Sequence, residues 1–305
     1  MPLKFAGWKK LIVETASSWS AHDATSRSAA LAFYTMFSLA PILILVVSIA
    51  GAFFGEQAVR GQIVQQFGDL MGRDEALAIQ EMLKKVARSE GAVLARILGT
   101  LTLLFGATGA FVELQDSLNR VWDVTPKPGE AVRGLLRKRF ISFGLILGIG
   151  FLLMVSLALS AALGALESYI QKHTTIPVLM LEGGNALFSL LVFGLLIAMI
   201  YRILPDAVLT WRDVWLGALV TSLLFGVGKW LIGLYLGRTA VGSAYGAAGS
   251  LVVILSWVYY TSFIILFGAE FTRAYCLATR PTKVKPEPGA VAIPPATPDD
   301  HLPAR

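Results

Sequence analysis

The sequence predicts an all-α integral membrane protein: a bundle of six transmembrane helices, with an external helical hairpin between spans one and two. Composition is the first observation behind this prediction. The chain of 305 residues is 55% hydrophobic and only 15% charged, with a mean hydropathy of +0.67, whereas soluble domains are about 25% charged. The second observation is that six segments reach the roughly 20 mostly apolar residues that a membrane crossing needs.

The six segments define a membrane domain at 29–275. The first is far longer than the apolar core of a signal peptide, and no small-residue cleavage site follows it, so we expect it to remain as an anchor. The predicted spans lie at about 29–54, 92–111, 140–166, 185–203, 213–236 and 249–272.

The basic residues predict the orientation of the chain. With the N-terminus inside, 17 of the 26 lysines and arginines fall in cytoplasmic segments and seven fall in outer segments. Positive charge is enriched in cytoplasmic loops, so we expect both termini in the cytoplasm of a bacterial inner membrane. We therefore attribute the net charge of +6 to the basic residues that set the orientation of the chain in the membrane. We expect no nucleic-acid partner, which would need basic residues gathered on one face.

Residues 1–28 are predicted to form a cytoplasmic segment with an amphipathic helix at 5–19. Tryptophans on its apolar stripe favour a helix lying in the membrane interface. A helix packed against the bundle explains the same pattern equally well. At the other end, residues 276–305 are predicted to be a disordered cytoplasmic tail, because seven of the 13 prolines lie within 281–305 and large apolar side chains are scarce.

The connection between spans one and two predicts the external hairpin. Val59, Ile63 and Phe67 recur at helical spacing and indicate one short amphipathic helix. Residues 74–91 begin with acidic side chains and end with basic side chains and a glycine, which suits a second helix.

A glycine-rich stretch, "GRTAVGSAYGAAGS" at 237–250, separates spans five and six. Small residues at helical spacing let helix backbones approach closely. A broken helix that dips back into the bundle is an alternative, and a phosphate-binding loop is the weakest interpretation because no lysine follows. The glycines assigned to helix packing are Gly242, Gly246 and Gly249 here, with Gly144 and Gly148 in span three.

Residues with catalytic or metal-binding chemistry are sparse. The histidines, His22, His173 and His301, are far apart in the sequence, and Cys276 is the single cysteine. None of the histidines has a metal-ligand neighbour at helical spacing, and no P-loop, dinucleotide or nucleophile-elbow motif occurs. We therefore predict no catalytic residues, no metal site and no cofactor, and we expect that the protein is not an enzyme.

Several motifs in order resemble the YihY/BrkB family of bacterial inner-membrane proteins, once mislabelled ribonuclease BN. The resemblance covers about 20–275. Its motifs are "AALAFYTMFSLAP" at 29–41, "LNRVW" at 118–122, "LPDAVLTWRDVWLGAL" at 204–219, "YG" at 245–246, "WVYY" at 257–260 and "GAEF" at 268–271. The resemblance implies a six-span protein of the cytoplasmic membrane. Some members are linked to resistance to host serum, and others to handling of lipid or lipopolysaccharide precursors.

These motifs and the charges inside the spans supply the candidates for a substrate path. Pro41 is expected to kink span one, because proline removes a helix hydrogen bond. Arg96 and Lys229 lie near the outer ends of their spans, where they either snorkel outward or form an anion site. The full set is Tyr34, Pro41, Arg96, Asn119, Trp122, Lys229, Tyr245, Gly246, Trp257, Tyr259, Glu270 and Arg273.

Glu270 and Arg273 are three residues apart on one face of span six, which predicts an ion pair between them. We expect this pair to face the bundle interior, while Ile254, Ile264 and Ile265 face lipid. The alternative is an ion pair at the headgroup level that caps the end of the helix. Asn119 and Trp122 are expected either to dock against Glu270 or to anchor the interface.

The leading functional hypothesis is a transporter or flippase for an anionic amphiphile, a lipid by class, with a role in the cell envelope. Membrane lipids, anionic ones included, are the expected partners, and such a bundle also permits oligomerisation. A non-transporting membrane scaffold or assembly factor explains the packing glycines equally well. A membrane-bound hydrolase is the third alternative, and the ribonuclease label has no support in the residues.

Overall fold

The computed structural model describes residues 5–71, 76–81, 84, 109–127, 178–238, 249–279 and 284–293. Most of predicted span two and all of predicted span three therefore lie outside the described residues. The same holds for six predicted site or packing residues: Arg96, Gly144, Gly148, Gly242, Tyr245 and Gly246.

The described chain is largely helical. Its long helices are α1 (Phe5–Ala21), α2 (Ala24–Phe54), α3 (Glu56–Met71), α4 (109–121), α5 (Val178–Ile203), α6 (Trp211–Arg238) and α7 (Gly249–Thr279). Residues 76–81 are also helical. Two short strands, β1 (Val124–Pro126) and β2 (Ala290–Ala292), form an antiparallel ribbon.

Four of the predicted spans correspond to α2, α5, α6 and α7, and each helix extends beyond its predicted span. Hydropathy marks only the apolar part of a helix, whereas the helix itself continues into polar residues. Within the described residues, Trp211–Leu231 and Gly249–Thr279 are long and apolar enough to cross a membrane, and Leu190–Ile203 is a shorter apolar stretch. The total of six spans stays a prediction.

The long helices pack in the order α5, α6, α7, α2. The largest buried cluster joins α4, α5, α6 and α7 and includes Leu118, Tyr201, Leu204, Val214 and Leu266. We call the end of the bundle that carries β1 and β2 the ribbon end, and the opposite end the α3 end.

Glycines bring α6 and α7 close together. A Cβ atom on Gly217 would lie 1.7 Å from Thr272 Oγ1, and one on Gly268 would lie 1.8 Å from Thr221 Oγ1. Small residues thus permit close helix contact, as predicted, but at positions that sequence analysis did not select. Of the predicted packing glycines, Gly249 is described, and it is buried at the first residue of α7.

At the α3 end, apolar side chains of α3 and residues 76–81 cover the bundle. Ile63, Phe67 and Ile79 join a cluster with Ile254 and Trp257. The amphipathic helix predicted from Val59, Ile63 and Phe67 is therefore confirmed as α3, while the second helix of the hairpin is described only at 76–81 and the hairpin stays a prediction. The prediction that Ile254 and Ile264 face lipid is wrong, because both are 5% exposed.

The N-terminal helix α1 packs against α7. Leu11 is buried against Phe271 and Ala274, and the Trp19 ring lies 4.3 Å from that of Phe263. Other large apolar side chains of α1, Trp8, Ile12 and Val13, remain exposed. One face of α1 is therefore packed against the bundle. The other face exposes apolar side chains, as in a helix that lies in the membrane interface.

The C-terminal segment departs from the disorder predicted for 276–305. Helix α7 continues to Thr279, and residues 284–293 follow the ribbon end of the bundle. Val291 pairs with Thr125 across the ribbon, and the Val208 N–H donates to the Lys285 carbonyl. This segment has few apolar side chains, but backbone hydrogen bonds hold it against the bundle. Amino-acid composition does not reveal such hydrogen bonds.

Candidate functional site

Four ionisable side chains form a continuous chain at the ribbon end. His22 Nδ1 lies 2.7 Å from Glu270 Oε1, and His22 Nε2 lies 3.4 Å from Asp123 Oδ1. Arg273 donates to the other oxygen of Asp123. The order Glu270, His22, Asp123, Arg273 alternates acid and base, and we call these four residues the charged chain.

Three separate parts of the fold position the charged chain. His22 lies in the turn between α1 and α2, where its N–H donates to the Ser18 carbonyl. Asp123 follows α4 with a φ of 52°, a left-handed conformation that aspartate tolerates better than most residues. The carbonyl of Asp123 accepts a hydrogen bond from the Ile293 N–H. The C-terminal segment therefore holds the backbone that carries the Asp123 carboxylate.

The predicted ion pair between Glu270 and Arg273 is wrong. Both residues lie on α7 as expected, but Glu270 binds His22 and Arg273 binds Asp123. Partners from other elements are better placed than a residue three positions along the same helix. Sequence analysis missed His22 and Asp123, because no local pattern connects a turn histidine to a helix more than 200 positions away (|i−j| is 248).

Burial differs sharply along the charged chain. The Glu270 side chain is 0% exposed, whereas that of Asp123 is 41% exposed. Glu270 Oε2 has no hydrogen-bond partner within the part of the chain that the structure describes. A buried polar atom without a partner costs roughly 1–3 kcal/mol, so this oxygen is an unusual feature of the bundle.

The protonation states of His22 and Asp123 follow from the hydrogen bonds of the charged chain. Burial lowers the pKa of His22, but hydrogen bonds to Asp123 and Glu270 outweigh burial and raise it to about 9. Burial of Asp123 acts to raise its pKa, but the His22 hydrogen bond and the nearby Arg273 hold that pKa below its usual value. At neutral pH the ring is therefore an imidazolium and Asp123 is ionised.

This protonation state limits the chemistry that His22 can perform. Both ring nitrogens point at carboxylates, so an imidazolium here has no lone pair with which to abstract a proton. Among the described residues, no group of three histidine, cysteine, aspartate or glutamate side chains is arranged to hold a metal ion. In this arrangement His22 is a cation held between two carboxylates.

A second polar cluster joins α4 to the Asp206 carboxylate. Asn119 donates to Asp206 Oδ2 at 2.8 Å and accepts from the Asp206 N–H at 2.7 Å, and Gln115 donates to Asp206 Oδ1. Of the two alternatives for Asn119, docking against Glu270 or anchoring the interface, the first does not describe its hydrogen bonds, which go to Asp206. Trp122 is buried in the main apolar cluster.

The other predicted site residues do not join the charged chain. Tyr34 is 43% exposed, in an aromatic row with Phe33 and Phe37, and helix α2 continues through Pro41. The remaining three lie along α6 and α7: Trp257 is buried, Tyr259 is half-buried and Lys229 is exposed. Of the twelve candidates, the structure thus brings together Glu270 and Arg273, through His22 and Asp123.

Comparison of the sequence with known proteins identifies the same family as the sequence motifs. The model of the family described as "Virulence factor BrkB" matches residues 15–291. A UPF0761 membrane protein of Verminephrobacter eiseniae is 27% identical over 274 residues, covering 87% of this chain and 62% of the relative. One from Xanthomonas axonopodis pv. citri is 25% identical over 269 residues, with coverages of 88% and 60%.

The chain thus spans about 60% of the length of these curated relatives. No solved structure matches it. The four residues of the charged chain, His22, Asp123, Glu270 and Arg273, lie inside the matched region. Because the family model covers most of the chain, the protein belongs to the BrkB (YihY) family of membrane proteins.

Proposed function

We propose that the protein moves an anionic amphiphile, a lipid by class, between the two leaflets of the bacterial inner membrane, and that it does so without catalysing a covalent reaction. The proposal rests on the environment of Glu270. Its carboxylate is fully buried, and one of its oxygens has no hydrogen-bond partner among the described residues. Ionisable side chains inside a membrane protein are costly and generally mark a substrate or ion pathway.

The charged chain supplies the chemistry for such a pathway. His22 and Arg273 are two cations whose present partners are the carboxylates of Glu270 and Asp123. An anionic headgroup is the kind of ligand that can replace those carboxylates. Its entry would separate His22 from Glu270 and so loosen the contact between the α1–α2 turn and α7. In the absence of a headgroup, the charged chain closes the path at the ribbon end.

The orientation of this closure rests on the predicted topology, in which both termini and the ribbon end face the cytoplasm. At the α3 end, Ile63, Phe67 and Ile79 cover the bundle with apolar side chains. The path would thus be closed by the charged chain at the ribbon end and by apolar side chains at the α3 end. Two separate closed ends agree with a path that opens to one side of the membrane at a time.

Reconstitution in vesicles tests the proposal. Purified protein is inserted into vesicles that carry labelled phosphatidylglycerol or labelled phosphatidylcholine, and leaflet exchange is measured. We expect faster exchange of the anionic lipid than in protein-free vesicles, and a loss of at least about tenfold in Glu270→Gln. The control is Glu56→Gln, whose carboxylate is exposed and pairs with Arg60. Exchange no faster than in protein-free vesicles would overturn the proposal.

A membrane scaffold is the second candidate, and the aromatic packing of the bundle favours it. Phe193 and Phe225 stack with ring centroids 4.4 Å apart, and Phe225 contacts Trp257 edge-on at 5.9 Å. These three aromatic side chains join α5, α6 and α7. A scaffold predicts no leaflet exchange, and it predicts that Glu270→Gln changes stability alone. A hydrolase has less support, because His22 is held between two carboxylates.

A further inference from the structure

A shallow groove on the outer surface of α5 and α6 differs from the rest of the apolar surface. It is an open surface depression, without an enclosed cavity, and it is lined by five residues: Leu190, Leu191, Gly194, Trp215 and Leu219. Gly194 lines the groove without a side chain, and a Cβ atom there would lie 3.2 Å from Ser222 Oγ on α6. Ser222 already donates to the Ala218 carbonyl, so the floor of the groove presents no hydroxyl donor.

Two arginines lie at the ribbon end of the same two helices. The Arg202 guanidinium stacks on the Trp211 ring, 4.5 Å from its centroid, and Arg212, the next residue of α6 after Trp211, is exposed. Among the described residues, no carboxylate forms an ion pair with either arginine. The carboxylates nearest in sequence are engaged inside the protein, since Asp206 accepts from Asn119 and Asp213 accepts from Thr210. This end of the surface therefore presents positive charge.

The spacing of the groove and the arginines fits a lipid. Trp215 and Leu219 follow Trp211 by one and two helical turns, so the groove begins about 6 Å and reaches about 12 Å below the level of Trp211. Tryptophan and arginine side chains at a helix end mark the headgroup level of a bilayer. A molecule with its phosphate at that level would lay an acyl chain along the groove.

We propose that the Arg202–Trp211 pair, Arg212 and the α5–α6 groove form a binding site for one anionic glycerophospholipid. The two guanidiniums bind the phosphate, and the groove at Gly194 receives one acyl chain. Phospholipid is favoured over a soluble phosphate, because half of the site is apolar and its leucine and tryptophan side chains are not fully covered by the described residues. The site lies apart from the charged chain, so its occupancy does not depend on whether the protein transports lipid.

The binding test uses the purified full chain and lipids of stated headgroup. Protein in mixed micelles receives equal amounts of phosphatidylglycerol and phosphatidylcholine, and the lipid retained per protein is counted by native mass spectrometry. Each basic residue near an anionic surface contributes roughly fivefold in affinity. We therefore expect Arg202→Gln and Arg212→Gln each to reduce phosphatidylglycerol retention by about fivefold. The control is Lys10→Gln on α1, whose side chain is exposed.

The groove is tested by filling it. Leu191→Trp adds bulk at a position that is 43% exposed and lines the groove, while the matched control Leu195→Trp adds the same bulk at a position that is 37% exposed and does not line it. We expect the first variant alone to lose phosphatidylglycerol. In the unaltered chain, a phosphatidylglycerol with a photoreactive acyl chain should label peptides that contain 190–194 or 215–219.

Three outcomes would show that this surface does not bind the lipid, and a fourth would assign it to another ligand. The first three are equal retention of phosphatidylglycerol and phosphatidylcholine, equal effects of the groove variants and their control, and labelling elsewhere on the chain. Displacement of the lipid by millimolar glycerol phosphate would indicate a soluble anion site instead and would also overturn the proposal. Lipid retention without leaflet exchange would support this site while rejecting the transport proposal, so the two inferences fail separately.

Discussion

His22 Nδ1 and Glu270 Oε1 lie 2.7 Å apart, although the two residues are separated by 248 positions in the sequence. This contact joins the turn between α1 and α2 to the last third of α7. Glu270 is fully buried and His22 nearly so. A charged pair so far from water depends on both members, because the loss of one leaves the other buried without compensation.

The first prediction concerns the unequal burial of the charged chain. His22→Gln removes the cation that faces the buried Glu270, and we expect it to lower the free energy of unfolding by about 3–5 kcal/mol. Arg273→Gln removes the partner of Asp123, whose side chain is 41% exposed, and should cost roughly 1 kcal/mol or less because water compensates. Thermal unfolding in detergent measures both.

The control for this comparison is the double variant His22→Gln with Glu270→Gln. It carries no unpaired buried charge, so we expect it to be more stable than His22→Gln alone. If the double variant were as unstable as the sum of its two single changes, the coupling between His22 and Glu270 would be absent.

The second prediction concerns pH. Hydrogen bonds to Asp123 and Glu270 raise the pKa of His22 from 6.5 to about 9, against the effect of burial. A group whose pKa is higher in the folded state stabilises the fold fully below its unfolded pKa, and that stabilisation disappears as pH rises through the folded pKa. We therefore expect the unfolding temperature to fall between pH 6.5 and about 9.5.

The variant His22→Gln isolates this effect, because glutamine does not titrate. Its unfolding temperature should change less over the same pH range than that of the unaltered protein. NMR titration of a ¹⁵N-labelled imidazole reads the pKa of His22 directly. A midpoint near 6.5 would mean that the contacts with Glu270 and Asp123 do not form.

The third prediction concerns the glycines between α6 and α7. A Cβ atom on Gly217 would lie 2.7 Å from Thr272 Cβ and 3.1 Å from Thr272 Cα. Because backbone atoms cannot move aside easily, Gly217→Ala should lower the free energy of unfolding by about 1–3 kcal/mol. Gly226 lies on the same helix with nothing within 4 Å of its added Cβ.

Gly226→Ala is therefore the matched control. Alanine is favoured over glycine inside a helix by about 0.5–1 kcal/mol, so this variant should be neutral or slightly more stable. Equal destabilisation by both changes would show that the effect comes from α6 alone and not from its contact with α7. For Gly246, which lies outside the described residues, loss of stability or activity in Gly246→Leu stays a prediction of the glycine-rich stretch.

Much of this fold could be predicted because hydropathy and helical periodicity are local properties. The stripe of Val59, Ile63 and Phe67 identified α3, and the apolar runs identified α2, α5, α6 and α7. The charged chain could not be predicted in the same way. His22 is an isolated histidine in a short turn, and Asp123 follows a helix in a left-handed conformation; their approach to α7 depends on how the helices pack.

The assignment of the packing glycines shows the same limit. Spacing singled out Gly144 and Gly148 as well as Gly242, Gly246 and Gly249, yet the close contacts described between α6 and α7 are at other glycines, Gly217 and Gly268 among them. Any glycine in an apolar helix permits close approach. Which one is used depends on the side chain opposite, here Thr272 or Thr221, and that partner belongs to another helix.

The fourth prediction concerns topology. With both termini in the cytoplasm, a fluorescent reporter fused after residue 305 should be active, and an alkaline phosphatase fused at the same position should be inactive. A phosphatase inserted at Gly61 on α3, where an added Cβ has open space, should be active outside. The opposite pattern would reverse the orientation drawn from the basic residues.

The last prediction concerns the ribbon that carries Asp123. Thr125 and Val291 are directly opposed across β1 and β2, so a cysteine at each position should form a disulfide under mild oxidation. Cys276 is buried and can remain as it is. Intramolecular cross-linking, scored by mass spectrometry, would show that the C-terminal segment lies against β1 in the membrane-embedded protein. Paired cysteines that stay reduced would contradict the ribbon.

Truncation then tests what the ribbon stabilises. Removing residues 284–305 deletes the Ile293 N–H that binds the Asp123 carbonyl and the Gly289 carbonyl that binds the Lys127 N–H. Each lost hydrogen bond is worth about 0.5–1.5 kcal/mol, so the unfolding temperature should fall. The pKa of His22 should also move back toward 6.5, because Asp123 is no longer held beside it. Removing only residues 294–305 leaves every one of these contacts in place and should change neither quantity.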